Sequence, residues 1–236
     1  MRSVRRLLVG ALFVFVSTSV LAQDSEPEHI NVRVVTVKAD RISQWEGLID
    51  ERSVFRREEG QRFYHVYQRL RGPLHTYLIV TPANDIRPQP AGASPAPRDL
   101  QNWVTALNST IESESVTTLL TYPEANTIET ESPAPPTGFV HVRIRTAAAG
   151  RLADFEEWLR EELVPGLREA GAGDIRSGRV VLGGSPRTWV TFSFVPGWPE
   201  PVVELDPRIL ARGDELIATQ TDYFYRFRED LSFTAD

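Results

Sequence analysis

The chain has 236 residues, no cysteine, and 26 basic against 32 acidic side chains, for a formal net charge of −6. The missing cysteine excludes disulfides, thiolate metal sites and a cysteine nucleophile, and the acidic balance argues against nucleic acid as a partner. A chain of this length can bury a core that needs no covalent staples.

Residues 1–22 read as a secretory signal peptide. Arg2, Arg5 and Arg6 form its basic start, residues 7–16 its apolar centre, and Val20-Leu21-Ala22 a small-residue cleavage site. The apolar run is shorter than the about 20 residues a spanning helix needs, so the expectation is a periplasmic or secreted protein with no membrane attachment after cleavage. Cleavage removes three arginines, which leaves a net charge of −9, and Gln23 offers no thiol for lipid attachment. Residues 23–29 form a polar, flexible lead-in.

A first unit is expected over residues 30–123. Its Val-rich strand 30–38 alternates in part. Over 41–59, Ile42, Trp45, Leu48, Ile49, Arg52 and Phe55 recur at helical spacing, and Gly60 stops the helix. Strands 62–71 and 75–81 follow, joined by the turn Gly72-Pro73. A proline-rich loop over 82–98 interrupts the unit, then a helix at 99–108 and a closing strand at 116–122 complete it. A linker spans 124–137.

The second unit, 138–236, repeats that order: strand 139–146, helix 152–170, strands 175–182 and 188–195, helix 207–219, strand 222–227. Pro165 is expected to kink the first of these helices, because its ring clashes with the preceding turn. Arg41-Ile42-Ser43-Gln44-Trp45-Glu46 matches Arg151-Leu152-Ala153-Asp154-Phe155-Glu156, and the turn before Tyr77 matches the one before Trp189.

Each unit therefore reads β-α-β-β-α-β, the split pattern of a ferredoxin-like fold. Two such sheets can cover each other's open faces, so the predicted fold class is α+β, with two tandem ferredoxin-like units forming an intramolecular pseudo-dimeric α/β barrel. On the paired helix openings, the paired turns and the repeated final strands, the chain resembles the dimeric α/β-barrel, antibiotic-biosynthesis-monooxygenase-like superfamily. Its ending, Tyr223-Phe224-Tyr225-Arg226-Phe227-Arg228-Glu229-Asp230-Leu231-Ser232, is similar to the tail of a family of exported bacterial proteins with the same tandem layout.

The resemblance implies a pocket between sheet and helices lined by aromatic and a few polar groups. The candidate ligand-binding residues are Trp45, Tyr64, Tyr67, Tyr77, Trp158, Arg187 and Trp189, with His75 as the candidate proton-handling group. Large aromatics are equally the ordinary filling of such an interface. The carboxylates Glu46, Asp50, Glu156, Glu157, Glu161 and Glu162 fit the wet faces of amphipathic helices. None of the four histidines has the spacing of a local metal pair, and no phosphate loop or nucleophile elbow occurs.

These residues support three readings. The first is an exported small-ligand-binding or structural protein, closed as a monomer, taking a small apolar ligand and no cofactor. The second is a cofactor-independent monooxygenase-like enzyme acting on a small organic substrate in the cleft. The third is a haem-binding protein using His65, His75 or His141.

Overall fold

The computed structural model describes residues 28–83, 100–126, 138–195, 197 and 203–235. The signal peptide, most of the lead-in, nearly all of the proline-rich loop and most of the linker lie outside the described residues.

The first half consists of β1 (Glu28–Val37), α1 (Ile42–Glu58), β2 (Phe63–Arg69), β3 (Thr76–Pro82), α2 (Leu100–Thr110) and β4 (Ile111–Thr121). The second consists of β5 (Phe139–Ala147), α3 (Leu152–Trp158), α4 (Val164–Glu169), β6 (Ile175–Leu182), β7 (Thr188–Val195), α5 (Pro207–Leu216) and β8 (Ile217–Phe227), followed by the two-residue β9 (Phe233–Thr234). Both closing strands begin five residues before their expected starts, directly after the preceding helix. Their first residues carry exposed polar side chains (Glu112, Ser113, Glu114; Thr219, Gln220, Thr221), which hides the apolar alternation that marks a strand.

Pro165 does not break its helix. The chain instead widens over Leu159–Leu163 into a π-helical turn, with the Val164 N–H donating to the Leu159 carbonyl. The extra residue in that turn relieves the clash that the proline ring would make with the carbonyl four residues earlier.

The molecule is α+β, with every strand pairing antiparallel. The order is β3-β1-β4-β6-β7-β5-β8-β2-β9, and β3 also pairs with β2, so the pairings of β1 to β8 run in a closed circuit. Within the first half the order is β4-β1-β3-β2, and within the second β8-β5-β7-β6; the seams between halves are β4–β6 and β2–β8.

Side chains alternate across each strand and so feed separate layers. Ile30, Val32, Leu78, Val80, Leu119, Val140, Val142, Phe192 and Tyr225 meet in one core drawn from both halves. On the opposite strand face of the first half, Val35, Val37, Tyr77 and Ile79 pack under Trp45, Ile49 and Leu107 of α1 and α2. In the second half Ala147 and Trp189 pack under Phe155, Trp158, Leu163 and Leu216. Each half is also padded by a segment beyond its strands: Leu231 and Phe233 join the first half's helix layer, and Ala125 joins the second's.

Candidate functional site

Between the strands and helices of the second half lies a cavity of about 710 Å³. Its helix side is mostly apolar, formed by Trp158, Leu159, Leu163 and Leu167 along the helix that contains the π-turn, and by Leu205, Leu210 and Gly213 at or just before α5, with the exposed carboxylate of Asp214 as its one acid among the described residues. Its strand side is polar, formed by Arg143 and Arg145 of β5, Ser177 of β6, Thr191 and Ser193 of β7 and Gln220 of β8. Period-two alternation places these on one face, since Arg145 lies opposite both Trp189 and Gln220, and Ser177 opposite Thr191. Ser177 and Thr191 share a hydroxyl–hydroxyl bond of 3.1 Å.

The wall at Trp158 is fixed on two sides. Its indole N–H donates to the Ile209 carbonyl at 2.9 Å, and its ring lies close against α5, where a Cβ on Gly213 would stand 2.5 Å from the indole edge. Only glycine lets α5 approach so closely.

Arg145 is the unusual group on the floor. Only 7% of it is exposed, and its guanidinium carbon lies 6.0 Å from the Trp158 ring centroid. Its Nε–H donates to the Gln220 Oε1 at 2.9 Å, and no carboxylate pairs with it among the described residues. Burial pulls its pKa down to about 9, with Arg143 adding to the shift and Asp222 opposing it. The nearest acid is already engaged: Asp222 accepts from His141 Nε2 at 2.7 Å, Arg143 Nε at 2.7 Å and Gln220 Nε2 at 3.1 Å. Partial burial pushes the Asp222 carboxyl up, but these hydrogen bonds outweigh it and hold the group below its ordinary value.

The corresponding layer of the first half is closed more tightly. Its cavity measures about 340 Å³. Val35 occupies the place of Arg145, opposite Tyr77 as Arg145 is opposite Trp189, and Val66 and Ile79 pair where Ser177 and Thr191 do. Trp45 lies against Tyr77 with centroids 4.2 Å apart and the rings tilted by 33°. The Tyr77 hydroxyl donates to Glu46 at 2.7 Å, and Arg228 from the chain's tail donates to the same Glu46 oxygen at 2.5 Å. Arg33, lining the smaller cavity, is neutralised by Glu114 at 2.6 Å.

The structure scatters the residues that the sequence singles out. Trp158 lines the larger cavity and Tyr64 the smaller one. Tyr67 belongs to the core shared by both halves, while Trp45 and Tyr77 fill the first helix layer. Trp189 is buried beside Phe155 and Tyr122. Arg187 holds the Ala147 carbonyl at 2.8 Å near a turn. His75 lines neither cavity: it stands at the start of β3, 28% exposed, 3.9 Å from Glu112, and its carbonyl accepts from Val37 as that of Arg187 accepts from Ala147.

Arg145, Gln220, Ser177, Thr191 and Ser193 escape the sequence reading. A signal for Arg145 exists: the offset that matches Arg41 with Arg151 also sets Val35 against Arg145, a charge where the partner strand is apolar. Gln220 lies in the polar opening of β8 that reads as the end of a helix and a loop.

No family model matches the chain, and no curated protein matches it in sequence. Solved structures do match in shape. An anthrone oxidase-like protein superposes with a TM-score of 0.61 at 10% identity over 90% of this chain and 95% of its own. A putative monooxygenase from Lactobacillus acidophilus NCFM gives 0.57 at 12% identity over 89% and 100%. A haem-binding protein from Thermus thermophilus gives 0.50 at 11% identity over 87% and 93%. At these identities the likeness is one of fold, and the chain shares with these proteins an α+β architecture of antiparallel strands covered by helices.

Proposed function

We propose that this is an exported protein whose units 30–123 and 138–236 are ferredoxin-like and close on each other as an intramolecular pseudo-dimeric α/β barrel, binding a small, largely apolar organic molecule in the second unit's cavity. The closed circuit of pairings within one chain supports the monomeric barrel, and residues 1–22 support export. The observation that carries the binding reading is the difference between the halves. The first unit narrows its helix–sheet layer to about 340 Å³ with Val35, Val66, Ile79, Trp45 and Tyr77; the second keeps about 710 Å³ open between a mostly apolar helix wall and a polar floor. That volume falls within the range of small-molecule sites, and a few placed polar groups in an apolar hollow are their usual composition.

The test uses the neutral fluorophore N-phenyl-1-naphthylamine on the mature chain. Saturable binding at one site is expected, lost in Ser193→Phe, which fills the second unit's cavity, and kept in Val104→Phe, which narrows the first unit's. Binding that ignores Ser193→Phe, or none that saturates, would overturn the reading.

A cofactor-independent monooxygenase-like reaction in the same cavity is the second reading, favoured by one observation: a buried guanidinium on the floor can stabilise an oxyanion that develops on a bound substrate. His75 lies outside that cavity. The haem reading lacks a suitable donor set. His65 is bonded to Thr234 at 2.9 Å, His141 to Asp222, and His75 is at a sheet end, so none of the three lines the larger cavity, whose floor offers guanidinium, hydroxyl and amide groups instead of an axial imidazole.

A further inference from the structure

Resting on the cavity reading, we propose that the ligand is a monocarboxylate with a flat apolar body, its carboxylate held by the terminal nitrogens of Arg145, and that Gln220 and Asp222 aim that guanidinium. Three observations carry this.

The first is charge matching. Two arginines line the floor, but Arg143 is neutralised by Asp222, which leaves Arg145 as a buried cation with no acid of its own among the described residues. A buried charge is retained at a cost unless something pairs with it. Asp222 favours this cation only through space, and Asp214, exposed on the α5 side of the cavity, makes no ion pair with it among the described residues, so the guanidinium is open to a ligand's negative charge. The chain as a whole is acidic, with a formal net charge of −6, so its general field repels anions and selection for one must be local.

The second is geometry. Gln220 is oriented by Asp222, which accepts from its Nε2 at 3.1 Å and so turns Oε1 toward the Arg145 Nε at 2.9 Å. With Nε tethered there, the terminal nitrogens carry no hydrogen bond among the described residues. A guanidinium offers a carboxylate two parallel donors, which an ammonium cannot do. Trp158 lies 6.0 Å from the guanidinium carbon, so a planar body docked against that indole and the adjacent leucines brings its head group to Arg145.

The third is the contrast with the first half. There the matching floor position is Val35, and Glu114, which stands opposite it as Gln220 stands opposite Arg145, is committed to Arg33. The first half therefore carries no cation at the matching floor position; its half-buried Arg52 lies on the α1 side of the smaller cavity, against Phe55 and Trp103.

The experiment compares 2-naphthoate with the neutral isostere 2-naphthamide by titration calorimetry at pH 7. The wild-type mature chain should bind the naphthoate at least about tenfold more tightly. Arg145→Met should abolish that preference while retaining the amide. Gln220→Leu, which keeps the charge but frees its direction, should reduce the preference several-fold. Should the methionine variant not fold, Arg145→Lys reads the same point, since a charge without the fork should also lose several-fold. Equal binding of the two probes by the wild type would overturn the anion assignment and leave the cavity reading standing. Binding of neither would overturn both. A preference that survives Arg145→Met would move the head group elsewhere, and an unaffected Gln220→Leu would remove the aiming role.

Discussion

Arg145 and Val35 occupy matching positions in the two halves: Val35 pairs with Tyr77 and Glu114, and Arg145 with Trp189 and Gln220. One is an ordinary core valine. The other is a buried cation over a cavity, and the same strand geometry therefore serves packing in one half and, on the proposed function, recognition in the other.

Arg145 should cost stability as it stands. Replacing a buried charge that lacks a close acid with an apolar side chain of similar length removes a desolvation penalty, so Arg145→Met is expected to be more stable by about 1–2 kcal/mol. For a chain of this size that is a rise in melting temperature of roughly 2–8 °C. Scanning calorimetry of the ligand-free protein checks it; a melting temperature lowered by several degrees would mean that the guanidinium is structurally satisfied.

The β4–β6 seam depends on a glycine. Gly183 has φ of 79°, and a Cβ there would collide with the Val116 carbonyl oxygen, a backbone atom that cannot swing aside. Gly183→Ala is expected to lose about 2–4 kcal/mol through the strained conformation and the collision together. A urea midpoint unchanged from wild type would show that the turn after β6 can re-form without this close approach.

Stability should fall in mild acid because of His65. Burial, with Arg176 of β6 nearby, lowers its pKa to about 4, and its other neighbours are the aromatics Phe63, Tyr67 and Phe227 and the Thr234 hydroxyl. Between pH 6.5 and about 4 the unfolded chain takes up a proton that the folded chain refuses, so unfolding becomes easier as pH drops through that window and levels off below it for this group. The full effect is on the order of 3 kcal/mol. Asp222 and Asp230, whose carboxyls are held below their ordinary 3.8, act in the same direction but only at lower pH. Urea midpoints at about pH 7 and about pH 4.5 should differ less in His65→Gln than in wild type, and an equal difference would assign the acid sensitivity to other groups.

Arg228 ties the tail to α1. It donates to Glu46, which also takes the Tyr77 hydroxyl, and it pairs with Asp230 at 2.6 Å; these acids raise its pKa, against the effect of burial. Arg228→Met leaves Glu46 partly buried without its cation and is expected to cost about 2 kcal/mol. Faster hydrogen exchange should follow in residues 229–234. Exchange unchanged there would show that Leu231 and Phe233 alone hold the tail in place.

Much of this architecture is legible in the sequence because both periods are strong. Strands 175–182 and 188–195 are located to the residue, and α1 and α3 follow from Trp45, Ile49, Phe155 and Trp158 at helical spacing. The first five residues of β4 and β8 are hidden by exposed polar side chains, and the π-turn by its dependence on backbone pairing. The candidate site is less legible for a physical reason. Aromatic side chains stand out in a sequence, yet Trp45, Tyr77 and Trp189 are here packing groups, while the cavity's floor is made by residues such as Ser177 and Gln220, whose meaning depends on strand parity and on what lies opposite.

On the proposed function, the second half and not the first holds the ligand. A crystal structure of the mature chain soaked with 2-naphthoate tests this most directly. The aromatic rings are expected against Trp158 and Leu163, with the carboxylate at Arg145. A clear naphthoate in the smaller cavity beside Tyr64 and Arg33, or a larger cavity filled by protein side chains, would contradict it.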